Sequence, residues 1–421
     1  MTRTRDGKIK IDIGRTFPEF LLDLSFLARF TVLFAFADTE NGVNYAYYIT
    51  FFCVVGMTAL VYILGRRTVI VKLPTLWYGT FLLFSLLSVL WAQYSEDLTL
   101  RYISKMLQVL IICFCITLYI RRKKDLERFL SIFIAACAIT VVSVLVRVSP
   151  AEWFEGFLGR GVTGNNINVV AYTCVAGLCL AFYKAYYLKL RSYYIPAVLM
   201  AVYIVLSSSR KALLMAAVML LGMALFFVKK KNYIFKLFAV LLILCAAAVA
   251  IFEVPVLYEA IGFRFEKMFN YFFAGDIAVD GSIALRQSFA TVAAQEFAEH
   301  PFFGVGLANV SYLLFLYFGR QTYVHNNYLE IASGLGITGL ILYYWYYVYL
   351  VIRLARKAYR GDSLCAALFF LMIVMVVGEI TMVTFYNDAV QVMLTVCFCA
   401  VNMKRDSAHG DSYGNYRRCS A

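Results

Sequence analysis

The residues best suited to chemistry lie between 286 and 339. The segment Val324-His325-Asn326-Asn327-Tyr328-Leu329-Glu330 holds one of only three histidines in 421 residues. An imidazole titrates near neutral pH and can take a proton from a hydroxyl group. On a helix Asn326, Glu330 and Gly334 share one face at i, i+4 and i+8. Upstream stand Arg286 and the turn-forming run His300-Pro301-Phe302-Phe303-Gly304-Val305-Gly306. Gly304 and Gly306 permit positive φ or a close backbone approach, and downstream lie Gly334, Gly336 and Gly339.

The elements that must position these residues are membrane helices. The chain is 62% hydrophobic and only 15% charged, with a mean hydropathy of +0.76. An ordinary soluble protein is nearer 45–50% apolar and about 25% charged. This balance excludes a cytosolic enzyme and a secreted disulfide scaffold. A bilayer-crossing helix needs about 20 apolar residues. Such runs lie near 20–37, 44–64, 73–91, 102–120, 129–147, 168–188, 193–209, 211–228, 233–252, 327–352, 364–385 and 388–403. The expected fold is an all-α polytopic membrane protein of about 12 transmembrane helices, and 193–228 reads as a hairpin turning at Ser207-Ser208-Ser209-Arg210.

The net charge of +14 would fit nucleic acid, but its distribution argues otherwise. Of 39 Lys and Arg, 28 fall in the tails and alternate connections and nine on the other side. That is the positive-inside bias. Both termini are then cytoplasmic, and no nucleic-acid partner is expected. The divisions are a tail at 1–19, a membrane domain at 20–403 with an extracytoplasmic loop at 253–326, and a tail at 404–421. Arg29 and Lys105 fall inside spans. In the loop, Ile261, Phe265, Met268, Phe269 and Phe272 share one helix face, either in the membrane interface or packed on the bundle. A second helix is expected from Ser282 to about Glu299. No cysteine lies in 253–326, and Cys113-Phe114-Cys115 and Cys397-Phe398-Cys399 lack the second pair of a zinc site.

The order Arg286, His300 to Gly306, His325 to Glu330 and Gly334 to Gly339 resembles the signature of the O-antigen ligase and polymerase family. The segment Arg160-Gly161-Val162-Thr163-Gly164-Asn165-Asn166-Ile167-Asn168 is similar to the family's Gly…Asn-Pro-Asn segment, with Ile167 in place of proline. Ser208-Ser209-Arg210 is similar to its Ser-Arg segment, and Lys211 stands where a glycine is common. The resemblance implies an all-helical, GT-C-like membrane glycosyltransferase in the cytoplasmic (inner) membrane, active on the extracytoplasmic side. Its donor would be an undecaprenyl-diphosphate-linked glycan. Its acceptor would be a glycan on lipid A core, as in lipopolysaccharide assembly, or on a lipid carrier.

On that footing Arg210 and Arg286 would meet the leaving diphosphate, because the guanidinium fork matches phosphate geometry. His325 would be the general base of an inverting transfer. Asn326 and Glu330 would orient His325 or hold sugar, with Arg160 and Asn168 as further substrate-binding candidates. Gly304, Gly306, Gly334 and Gly339 would be structural. No metal or other cofactor is expected, since no Asp-x-Asp motif occurs in the loop. Each residue has a plainer reading: Arg210 as an interfacial anchor, Arg286 as a surface charge, Asn168 as a helix-start residue. The competing function is a transporter or flippase of lipid-linked oligosaccharide, which would place its charged site near mid-membrane. Here the candidates cluster toward one face.

Overall fold

The structure, a computed structural model, describes residues 2–3, 9–10, 16–36, 45–94, 96–153, 158, 166–226, 230–273 and 281–403. Apart from a two-residue antiparallel pairing of Thr2–Arg3 with Ile9–Lys10, the described chain is helical. The helices are α1 Phe17–Phe36, α2 Tyr45–Leu64, α3 Leu73–Leu87, α4 Glu96–Tyr119, α5 Lys123–Arg147, α6 Ile167–Phe182, α7 Tyr194–Leu206, α8 Arg210–Phe226 and α9 Lys230–Glu253. There follow a single turn, α10 Pro255–Leu257, then α11 Phe263–Phe273, α12 Gly281–Glu299, α13 Val310–Phe318, α14 Asn327–Tyr359, α15 Ser363–Gly378 and α16 Asp388–Asn402.

Every one of the twelve apolar runs falls on a helix. Among the described residues, seven helical segments are long and apolar enough to cross a membrane, and two further apolar helices are shorter. Of the other runs, α1 carries Glu19, Asp23 and Arg29, and α8 has only 17 residues.

Lipid tails are as apolar as leucine, so packing and polar contacts must hold such helices together. Phe26, Phe30 and Phe34 recur every four residues on α1 and interleave edge-on with Phe129 and Phe133 of α5, at centroid distances of 5.5–5.8 Å. Trp77 of α3 stacks on Tyr346 of α14 at 4.2 Å, and its indole N–H donates to the Leu342 carbonyl at 3.0 Å. The fully buried Arg29 donates to the Tyr47 carbonyl at 2.8 Å and lies 3.8 Å from Asp388.

Polar contacts also fix which helix ends lie together. Arg67 pairs with Glu19 at 2.5 Å and Lys184 with Glu127 at 2.9 Å. Lys72 donates to the Thr117 carbonyl at 2.6 Å. These gather the end of α2, the starts of α1, α3 and α5, and the ends of α4 and α6. The candidate residues lie at the other end.

There α14 is broken. Gly336 has φ 65° and ψ −167°, a conformation closed to side-chain-bearing residues. In an unbroken helix the amides of Ile337 and Thr338 would bond the carbonyls of Ser333 and Gly334. The loop 301–306 takes up all four groups instead. Val305 N–H donates to Ser333 O at 2.9 Å and Gly306 N–H to Gly334 O at 2.9 Å. Ile337 N–H donates to Pro301 O at 2.8 Å and Thr338 N–H to Phe302 O at 3.4 Å. A backbone polar group left unpaired in a membrane protein is costly, so break and loop depend on each other.

Such a close approach needs glycine. Gly304 has φ 66°, and a Cβ there would lie 2.4 Å from the Gly334 carbonyl carbon; one at Gly336 would lie 2.3 Å from that of Phe302. The loop's other side is pinned by α3 and α4. Trp91 Nε1 donates to Phe303 O at 3.2 Å, Leu307 N to Ser88 Oγ at 3.0 Å and Thr99 Oγ1 to Leu307 O at 2.7 Å. Phe289, Ala293, Val305, Val310, Leu314 and Val324 form a second small core under this end.

Gly336→Ala is expected to cost about 1–3 kcal/mol for its glycine-only backbone conformation alone, with the clash added. Heat-unfolding in detergent should show a lowered midpoint, whereas Gly319→Ala, whose added methyl meets only open space, should incur only the backbone strain.

Candidate active site

His325 sits in the loop between α13 and α14, and three features hold it there. The carboxylate of Glu330, 1% exposed, accepts the Val324 N–H at 2.8 Å. Asn326 caps α14, its side-chain oxygen accepting the Leu329 N–H at 3.1 Å. The chain must reverse between these two anchors, and His325 itself takes the strain with φ 63°. A left-handed non-glycine residue costs free energy and is a recurrent mark of functional sites.

The imidazole is flanked by Tyr323, with ring centroids 4.2 Å apart, and by Phe289, nearly parallel at 6.4 Å. Among the described residues no group hydrogen-bonds either ring nitrogen, so the ring is fixed by packing and a nitrogen is open to a substrate hydroxyl. Burial, then the fields of Arg286 and Lys211, push His325 down to about 4 from its ordinary 6.5. At neutral pH the ring is therefore neutral and able to accept a proton. This differs from the sequence expectation of an unperturbed value, because burial and two cations at the ring were not visible there. Burial likewise raises Tyr323.

Arg286 lies on α12, one turn before Phe289, and its charge reaches His325, Tyr323 and Lys211. Lys211 opens α8 and donates from Nζ to the Thr381 carbonyl at 3.4 Å. Arg210 beside it turns elsewhere, with Nη1 donating to the Arg264 carbonyl at 2.7 Å, while Arg264 donates to the Ser208 carbonyl at 2.5 Å. Of the expected cluster of Arg210, Arg286 and His325, the charge of Arg286 acts on the ring and Lys211 adds a second effect, whereas Arg210 contacts Arg264. Arg210 links the α7–α8 turn to α11.

The other candidates fall as follows. Asn166 caps α6 by accepting the Asn168 N–H at 2.9 Å, which makes Asn168 a first-turn residue. Arg160 lies outside the described residues. Gly304, Gly306 and Gly334 line the contact between loop and helix break, and Gly339 packs against Leu335 within α14. On the α10–α11 segment Ile261 and Phe265 are buried, whereas Phe269 is exposed. The first part of that face therefore packs on the bundle. Phe272's side chain lies outside the described residues.

Sequence reasoning missed a buried carboxylate. Glu379 accepts from Tyr344 OH at 2.7 Å, Tyr347 OH at 2.6 Å, Thr384 Oγ1 at 2.6 Å and Asn327 Nδ2 at 3.1 Å. Asn327 in turn accepts the Thr384 and Phe385 amides at 2.8 and 3.1 Å. This network fastens the start of α14, two residues after His325, to the turn before α16. The available signal was a lone acid within the apolar run 364–385. One group among the described residues, Glu296, Glu299 and His300, brings three potential metal-ligand atoms within 4.8 Å of one another. It lies at the far end of α12 from Arg286.

The fold and this site define a polytopic membrane protein whose strained histidine and cations meet at one end of the bundle. Residues 195–344 match the family model described as O-antigen ligase. The match runs from α7 into α14 and takes in Arg210, Arg286, His325, Asn326, Glu330 and the four glycines. The match supports an assignment to the O-antigen ligase and polymerase family and, with it, to glycan ligation or polymerisation in general. Arg160 and Asn168 precede the matched segment. No curated protein matches the chain.

Two pH effects are expected from His325. In the folded protein the imidazole protonates near 4, and in the unfolded chain near 6.5. The stability tied to the neutral ring is therefore complete above 6.5 and is lost as pH falls toward 4. Carbethoxylation of His325, in a protein with His300→Gln and His409→Gln, should follow a midpoint near 4, and Arg286→Gln should move that midpoint upward.

Proposed function

We propose that the protein transfers a glycan from an undecaprenyl-diphosphate donor to an acceptor glycan at the extracytoplasmic face of the cytoplasmic membrane, without a metal and with inversion. The observation that carries this reading is the neutral imidazole of His325, without a hydrogen bond among the described residues, within the field of Arg286 and Lys211. Cleavage of the sugar–diphosphate bond leaves negative charge on phosphate oxygens. Fixed cations aimed at developing charge are often the largest catalytic contribution.

Arg286 meets that charge with its planar fork, and Lys211, pushed down to about 7 by burial and then by Arg286, gains full positive charge once the anionic diphosphate is bound. His325 takes the proton from the acceptor hydroxyl as its oxygen attacks the anomeric carbon opposite the leaving diphosphate. A neutral ring can do this, and the negative diphosphate raises the ring's proton affinity once the donor is bound. Glu330 and Asn326 act as positioning residues through the backbone of the His325 loop. Arg210 acts through the α7–α8 turn, and the acceptor is a lipid A core glycan or a carrier-linked glycan.

His325→Ala is expected to lower transfer by roughly 10²–10⁴-fold, the usual worth of a general base, in chelator-containing buffer and with membrane insertion unchanged. In cells, accumulation of carrier-linked single repeats would mark a polymerase, and unattached long polymers a ligase. Full activity of His325→Ala would remove the base from the scheme. Arg286→Lys keeps the charge and loses the fork, so a fall of roughly 10²–10³-fold is expected in a single-turnover assay; a wild-type rate would exclude a bidentate phosphate contact.

A further inference from the structure

A cavity lies at the end of the bundle away from His325. It has a volume of about 340 Å³ between α1, α2, α4 and α5. It is lined by Arg67, Arg121 and Arg122 with Glu19 and Asp125, and by the apolar Leu22, Val61 and Leu118. The volume lies within the usual range for small-ligand sites.

Its walls are built. The turn after α2 places Arg66 at φ 46° and returns the Arg67 amide to the Tyr62 carbonyl at 2.9 Å. That carries Arg67 back over the cavity, where Glu19 holds it at 2.5 Å. Tyr62 OH caps the Leu118 carbonyl at 2.8 Å, and Tyr119 OH donates to Asp23 at 2.5 Å.

Charge accounting then leaves one cation over. Arg67 pairs with Glu19, and Arg122 lies 3.7 Å from Asp125. Among the described residues Arg121 has no acidic partner. An occupant with one negative charge, offering oxygens to a guanidinium fork, completes the site. The protein's own tails are unsuited: 1–15 carries five Lys and Arg against two Asp, and 404–421 carries four against two. Large apolar side chains are exposed beside the cavity, with Phe20 at 51%, Ile63 at 73% and Leu64 at 63%. They suit acyl chains on the same ligand, and basic pockets between membrane helices are known headgroup sites.

We propose that this cavity binds the phosphate of an anionic phospholipid, a phosphatidylglycerol-type phosphodiester, drawn from the surrounding leaflet. The proposal is independent of the chemistry assigned to His325.

The test is heat-unfolding of the full-length protein in nanodiscs of phosphatidylcholine, with phosphatidylglycerol or inorganic phosphate added in separate arms. Native mass spectrometry of retained lipid accompanies it. Phosphatidylglycerol should raise the midpoint of the wild type and remain bound through mild activation. Arg121→Gln, which breaks no ion pair, should lose most of that shift with an unchanged midpoint in phosphatidylcholine. Arg67→Lys, which keeps charge without the fork, should lose part of it. No shift with phosphatidylglycerol, or an equal shift in Arg121→Gln, would overturn the site. An equal shift with inorganic phosphate alone would overturn the lipid as its occupant.

Discussion

The exchange of hydrogen bonds at the break in α14 is the constraint on which the site depends. Gly336 releases two carbonyls and two amides from the helix, and the loop 301–306 satisfies them. Backbone groups away from water tolerate no other arrangement at small cost. The break fixes the loop, which carries Leu307 into the main core and Val305 into the site-end packing. That packing includes Phe289, the ring lying parallel to His325. A change at Gly304 or Gly336 therefore reaches the imidazole through backbone and small-core packing, without touching any charge.

The His325 loop is held on both sides by carboxylates that face away from solvent. Glu330 grips the amide before the histidine, and Glu379 anchors Asn327 two residues after it. Burying two acids is expensive, and the expense is offset by hydrogen bonds from amide, phenol and hydroxyl donors. What results is a strained left-handed histidine whose ring has no hydrogen bond among the described residues, kept neutral by burial and by the charges of Arg286 and Lys211. Charge lies around the imidazole, and the imidazole carries none. That state suits a group waiting to accept a proton beside an anionic leaving group.

Much of this could be read from the chain. The twelve apolar runs are helices because apolar length is a local property. Gly304 and Gly306 announced a positive φ or a close backbone approach, because glycine alone lacks the Cβ that would forbid either. The polar stripe after His325 marked the start of α14. What stayed hidden depends on pairs far apart in sequence. Lys211 looked like a departure from a family pattern, yet its charge acts on His325 more than a hundred residues away. Arg210 looked like a phosphate ligand, but its reach to the Arg264 carbonyl depends on where α11 docks. Glu379 was an isolated acid until the fold brought four donors to it.

The central claim is that Arg286, Lys211 and His325 form one diphosphate-facing site. The most direct measurement is a cryo-EM structure of the protein with undecaprenyl diphosphate, the released product, bound in a lipid nanodisc. The account predicts diphosphate density in contact with the Arg286 guanidinium and on the open side of the His325 ring, with Lys211 turned toward it. A diphosphate seated at a different part of the bundle, with Arg286 and His325 unaltered and distant from it, would contradict the account.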